Sequence, residues 1–430
     1  MFSSRLSGWS AIALRLTPAG GLALSSALNL AALLLWVRLL PPAEFATLTL
    51  ATTAALLVNA LAFDWLRQAS ARILPDPASP DGISRDRLGA WIRTAAITLA
   101  VVVAALLFAT LLGLAPPGFS PRWNIAIFAL AISEAHLAAI TLVARLAFSP
   151  RRYAAIMVGR SALSLLIGLA LVHLGGGAAG IVTGTALAQF LVSALVNRRN
   201  SLWKGALHTA PDPHHRADLL RLGLPLMAGC ALALLSAMID RTLVAANLGL
   251  AAAGHFAAPA ELVGKALGFA FMAVNLTAYP LLVPAWERAG PRAAAAALDR
   301  NLRTLLALGF PIVAAATLAP HLLASLLLGP AQAATAAPLL PWLAAATLLR
   351  LLVAFHFGIA IQLARRMSLL LIPPLVTLAI LVPLASLALN DGGLLRFAQL
   401  LFVAQAAGAL SARALARHSL CVHRPQPLPA

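Results

Sequence analysis

The sequence predicts an all-α polytopic membrane protein of twelve spanning helices in two six-helix lobes, with both termini in the cytoplasm. Three observations carry this reading. Hydrophobic residues make up 61% of the 430 and charged residues 10%, and the mean hydropathy is +0.91; no soluble globule has that balance. Of the 31 Lys and Arg residues, 25 fall in seven hydrophilic intervals that alternate with six nearly free of them. Cytoplasmic loops keep such an excess because moving a cation across a bilayer is costly. Finally, the two halves of the chain open on similar segments.

The elements follow in order, since about 20 apolar residues cross roughly 30 Å of hydrocarbon. Arg5 and Arg15 precede the first predicted span, 18–39, and Arg38 is the only cation before the second, 45–64. The cationic interval Arg67 to Arg93 leads to span 94–115, and Arg122 stands alone before span 124–146. Arg145 to Arg160 surround the start of span 153–173, and a glycine-rich turn from Gly175 to Gly180 connects it to span 178–196. Because no strand precedes that turn, it is no phosphate cradle. Arg198 to Arg221 form a cytoplasmic linker, 198–221, between lobes 1–197 and 222–430. Spans 223–245 and 257–284 enclose an interval holding only Arg241; Arg288 to Arg303 then precede span 303–324. Span 339–361, the pair Arg365 and Arg366, span 368–388, lone Arg396, span 396–417 and the tail from Arg413 to Arg424 complete the alternation. Six helices per half imply a parallel repeat, related by a pseudo-two-fold axis along the membrane normal.

The same features exclude whole classes of function. A net charge of +18 in a soluble chain would suggest nucleic acid, but here it lies in short juxtamembrane loops, where anionic lipid is the partner. Cys230 falls inside a span and Cys421 in the tail, so no disulfide is expected. There is no Walker loop, no metal-ligand cluster and no nucleophile spaced from a base, so no cofactor, no metal and no enzymatic activity are expected.

The order of short motifs resembles the polysaccharide-export flippases of the multidrug/oligosaccharidyl-lipid/polysaccharide (MOP) exporter superfamily. The first half has Arg38-Leu-Leu-Pro-Pro-Ala-Glu-Phe45 and, beyond the next span, Gln68-Ala-Ser-Ala-Arg72. The second has Leu220-Arg-Leu-Gly-Leu-Pro225, Asp240 fifteen residues later, and Ala252-Ala-Gly-His-Phe256 after the span. The first half departs from the pattern at Ala46 and Leu48, where the family carries Gly-x-aromatic. Twelve spans rather than fourteen resemble the O-antigen and exopolysaccharide branch rather than the lipid II branch. The resemblance implies a bacterial inner-membrane protein that translocates an undecaprenyl-pyrophosphate-linked oligosaccharide by alternating access. Polysaccharide polymerase and glycosyltransferase partners are implied in the same way.

Ionisable groups at membrane depth face a cavity or a partner, and they define the candidate site. Arg350, central in its span with no acidic residue beside it, is the first candidate to hold pyrophosphate, because guanidinium stays protonated and binds phosphate in bidentate fashion. Lys265 is the second, and the resemblance adds Arg72. Asn29, Gln189 and Asn275 are candidates to line a sugar-accessible cavity, with helix bracing as their alternative role. Glu134, Asp240 and Glu261 are candidates for coupling to H⁺ or Na⁺. Against that, Glu134 and Asp240 serve equally as structural braces, and Glu261 as an i,i+4 ion pair with Lys265. Adjacent helix residues point about 100° apart, so Asp240 and Arg241 are not expected to meet face to face. The rival readings are an H⁺- or Na⁺-coupled multidrug antiporter of the same superfamily, a polytopic lipid-sugar enzyme, and a non-transporting scaffold.

Overall fold

The computed structural model describes residues 18–67, 74, 84–113, 122–146, 150–197, 213–364 and 366–422. Among these residues there are helices and turns but no strand, as expected where lipid cannot hydrogen-bond an open backbone. Helix α1 (Pro18–Leu39) stops before Pro41, and α2 (Pro42–Asn59) starts on the next proline. Proline cannot continue a helix but suits its first turn, where its missing N–H has no partner to lose. A π-turn, Ala60–Asp64, extends α2. There follow α3 (Arg85–Leu111), α4 (Arg122–Leu146), α5 (Pro150–Leu171) with a π-turn Val172–Gly176, and α6 (Gly177–Asn197). The second half comprises α7 (Pro213–Leu318), α8 (Pro320–Leu323), α9 (Pro330–Ala336), α10 (Leu340–Leu352), α11 (Gly358–Leu363) and α12 (Ile372–Val422). A π-turn, Val353–Phe357, joins α10 to α11.

Helix ends overrun the predicted apolar spans because the hydrogen-bond ladder continues past the hydrocarbon. Helix α3, for instance, begins at Arg85 instead of near 94. The predicted span 303–324 ends earlier than expected, with α7 stopping at Leu318 and Ala319 leaving helical geometry at φ −134° before Pro320.

Among the described residues, nine helical runs are long and apolar enough to cross a membrane. Three of them, Arg151–Val196, Leu234–Asn275 and Met367–Leu420, span 46, 42 and 54 residues, about twice what one crossing takes. Each is interrupted by glycine at positive φ: Gly175 and Gly177 at 84° and 49°, Gly249 at 84°, Gly393 at 61°. Only a residue without Cβ takes this geometry at no steric cost. Every positive-φ glycine among the described residues lies in an arginine-poor interval. Tight glycine turns therefore gather in the intervals that carry little positive charge.

The chain divides into two compact units, residues 1–32 with 47–234, and residues 33–46 with 235–430. Within the first, Trp65, Leu66, Leu88 and Trp91 form one apolar cluster, and Leu137, Ile140, Ile156 and Val192 another. Within the second, Phe256 and Phe397 pack edge-to-face at 5.4 Å in a cluster that includes Val244, Leu343 and Leu401. Phe45 and Phe256, both aromatic residues of the sequence motifs, are 1% and 0% exposed. Gly254 explains its own place in the second motif. A Cβ there would overlap the backbone carbonyl of Pro42, and small residues are what allow membrane helices to approach so closely.

Gly254→Ala is therefore expected to destabilise the second unit by about 1–3 kcal/mol, the usual cost of overpacking. Thermal denaturation in detergent measures it, and an unchanged midpoint would show that the Pro42 backbone yields freely.

Candidate functional site

Two polar clusters lie inside apolar helices, one in each unit. In the first unit, Glu134 on α4 sits between α5 and α6. Its Oε1 lies 3.1 Å from Arg160 Nη1, and its Oε2 accepts a 2.6 Å hydrogen bond from Gln189 Nε2. The Gln189 carbonyl oxygen accepts in turn from Ser133 Oγ at 2.7 Å. Gln189 is fully buried, so its amide is used on both faces, as a group withdrawn from water requires. Glu134 and Arg160 border a cavity of about 310 Å³, lined also by Asn59, Arg67, Thr141 and Tyr153. The arrangement gives the carboxylate one cation and one amide donor while leaving it partly open.

In the second unit, five ionisable groups gather. Arg241 Nη1 lies 2.7 Å from Glu261 Oε1, and Lys265 Nζ lies 3.8 Å from Glu261 Oε2. Arg241 Nε is 4.0 Å from Asp240 Oδ1, beyond hydrogen-bond reach, and has no other partner. Asp240 Oδ1 instead accepts the backbone N–H of Arg241 at 2.7 Å. Arg350, in the last turn of α10, adds its charge to the field at Asp240, Arg241 and Glu261. Twenty residues of straight helix would hold Arg241 and Glu261 about 30 Å apart. Their contact exists because the chain turns back on itself at Gly249.

The candidates from sequence divide accordingly. Asp240, Glu261, Lys265 and Arg350 come together; Glu134 and Gln189 also come together, but in the other unit. Asn29 is exposed on α1, and Asn275 is partly buried with its carbonyl oxygen unpartnered; neither joins a cluster. Arg72 lies outside the described residues. Asp240 and Arg241 lie 4.0 Å apart with no hydrogen bond between their side chains. Glu261 pairs with Lys265 at the i,i+4 spacing, and more closely with Arg241.

Sequence reasoning missed Arg160, Arg241 and Ser133 as members of these clusters. Arg160 was grouped with loop cations, although Pro150 at the start of α5 places it well inside the helix. Arg241 was set aside as a neighbour of Asp240, and only the turn at Gly249 supplies its partner. Two π-turns stand beside these sites, Ala60–Asp64 next to the first cavity and Val353–Phe357 after Arg350; such insertions are common at functional positions.

Solved structures share this fold over nearly the whole chain. An inward-facing multidrug resistance MATE family transporter of the MOP superfamily matches with TM-score 0.70 at 16% identity, over 93% of this chain and 96% of that one. The lipid II flippase MurJ in an inward closed conformation matches with TM-score 0.65 at 11% identity, over 90% of this chain and 84% of that one. A MOP superfamily transporter from Pyrococcus furiosus, described by a reversed polarity of its binding pocket suggesting a different function, matches with TM-score 0.54 at 14% identity, over 95% and 97%. Curated protein sequences yield no match. The molecule is thus a multi-pass membrane protein with the MOP fold. Within that class it belongs to the polysaccharide biosynthesis protein family, whose sequence profile matches residues 22–286.

Removing one partner from the second cluster should cost more than removing both. Arg241→Gln leaves Glu261 and Asp240 short of a cation and is expected to destabilise by about 3 kcal/mol, while Arg241→Gln with Glu261→Gln costs less. Paired thermal melts in detergent test this; equal losses would mean the ion pair contributes nothing of its own.

Proposed function

We propose that this protein is a flippase that carries a polyprenyl-pyrophosphate-linked oligosaccharide across a bacterial inner membrane by alternating access of lobes 1–197 and 222–430, joined by 198–221. The observation that carries the reading is the sign of the charge in the second cluster: Arg241, Lys265 and Arg350 against Asp240 and Glu261. Arg241 and Glu261 neutralise one another most closely. Lys265, 42% exposed, and Arg350 then face only the buried Asp240, which leaves one positive charge in surplus to meet an anion. A pyrophosphate supplies that anion, and guanidinium binds its oxygens in bidentate fashion. Membership of a polysaccharide biosynthesis family supports a glycan on the lipid. Polymerase and glycosyltransferase partners would act before and after transfer.

In the first unit, the pairing of Glu134 with Arg160 and Gln189 suits a site that exchanges a cation for the guanidinium, and so coupling to H⁺ or Na⁺ belongs there. The rival reading, a multidrug antiporter, is favoured by the MATE structures that share the fold. It calls for carboxylates in surplus, whereas the second cluster has cations in surplus.

The topology is part of the proposal. Each of the three double-length runs is two crossings joined at glycine, which makes twelve crossings with both termini on the arginine-rich, cytoplasmic side. Cysteines introduced beside these glycines, at the exposed positions Leu174, Leu248 or Asp391 in separate variants, are expected to react with a membrane-impermeant thiol reagent added outside intact cells. Labelling only after lysis would overturn the twelve-crossing layout.

Function is tested in proteoliposomes with a fluorescent polyprenyl-pyrophosphate glycan. Arg350→Ala is expected to slow transfer by roughly tenfold to a hundredfold, the worth of a charge-assisted contact, while Arg350→Lys retains part of it. Unimpaired transfer by Arg350→Ala, or efflux of cationic dyes by the wild type, favours the antiporter.

A further inference from the structure

A separate cavity, of about 300 Å³, lies in the second unit apart from the charged cluster. Its walls come from four elements: Asp299 on α7, His356 and Phe357 of the π-turn, Ala360 on α11, and Arg413 and Arg417 on α12. Asp299 belongs to the arginine-rich interval Arg288 to Arg303, and the two arginines begin the last such interval. The cavity therefore opens where the helices reach the headgroup layer, on the positively charged side.

It is lined by charges of both signs. Arg413 and Arg417 are four residues apart and share one face of α12. Asp299 lines the same cavity from a different helix, α7, and among the described residues none of the ion pairs includes it or either arginine. All three are exposed at the rim. At the floor, His356 is 7% exposed and its Nδ1 has no hydrogen-bond partner, held edge-on to Phe357 at 4.9 Å. A buried polar atom without a partner calls for one, and a headgroup oxygen entering the cavity supplies it.

We propose that this cavity binds the headgroup of an aminophospholipid, its phosphate between Arg413 and Arg417 and its ammonium against Asp299. Two guanidiniums on one wall are an anion receptor, and basic pockets between membrane helices at this depth take lipid headgroups. The Asp299 carboxylate decides which headgroup. It repels the net charge of an anionic lipid and attracts the positive end of a zwitterion. The occupant is a structural or regulatory lipid, distinct from the transported substrate, so the proposal stands whether or not the flippase reading does.

The test is lipid retention by full-length protein in detergent, read by native mass spectrometry after addition of phosphatidylethanolamine or phosphatidylglycerol with matched acyl chains. The wild type is expected to retain phosphatidylethanolamine about fivefold better, the size of one well-formed ion pair. Asp299→Asn should bring that ratio close to one, and Arg413→Gln with Arg417→Gln should reduce retention of both lipids. A wild-type preference for phosphatidylglycerol, or an Asp299→Asn ratio equal to the wild type, overturns the proposal. Because Asp299 is exposed, its variant keeps the fold, and its ratio decides the matter even if the double arginine variant melts early.

Discussion

A charge inside hydrocarbon must find a partner, and most of what is distinctive in this protein follows from that requirement. Burying a lone guanidinium or carboxylate is expensive. Within the membrane-spanning helices, Glu134 is accordingly met by Arg160 and Gln189, and Glu261 by Arg241 and Lys265. Elsewhere small hydroxyl contacts, such as Ser25 to Ser161 at 2.8 Å, bridge helices. The ion pairs of the described spans are thus gathered in two clusters, one in each unit.

Backbone geometry decides where the partners meet. Helix α7 runs through 106 residues, yet Arg241 and Glu261 touch because Gly249 adopts φ 84°. The same device recurs at Gly175 and Gly393, each time in an interval with few cations. Short glycine turns expose little polar backbone, and the intervals that hold them carry little charge.

The MOP fold accommodates transporters of very different cargo, so fold alone does not choose among them. What distinguishes members is the sign and accessibility of the intramembrane charge. In the second unit three cations face two carboxylates, one of them, Asp240, buried and bound to backbone. In the first unit the carboxylate and the guanidinium balance. The anion recognition proposed for the second unit and the cation exchange proposed for the first rest on this division of charge.

The apolar runs, the alternation of arginine-rich and arginine-poor intervals and the turn at Gly175 to Gly180 were legible in the chain by itself, because membrane insertion is governed by hydropathy and charge summed over short local windows; the turns at Gly249 and Gly393 were not. The same reading found Asp240, Glu261, Lys265, Arg350 and Glu134, since an ionisable residue in an apolar stretch is visible wherever it stands. Apart from the i,i+4 pair of Glu261 with Lys265, their partners were not visible. Arg160 joins Glu134 across 26 positions and Gln189 across 55, and Arg241 meets Glu261 only after a reversal of direction. Asn29, prominent as a polar residue in a span, is simply exposed on its helix. Pairing depends on helix rotation and on which helices become neighbours, quantities set by packing of the whole unit; only the tertiary structure decides them.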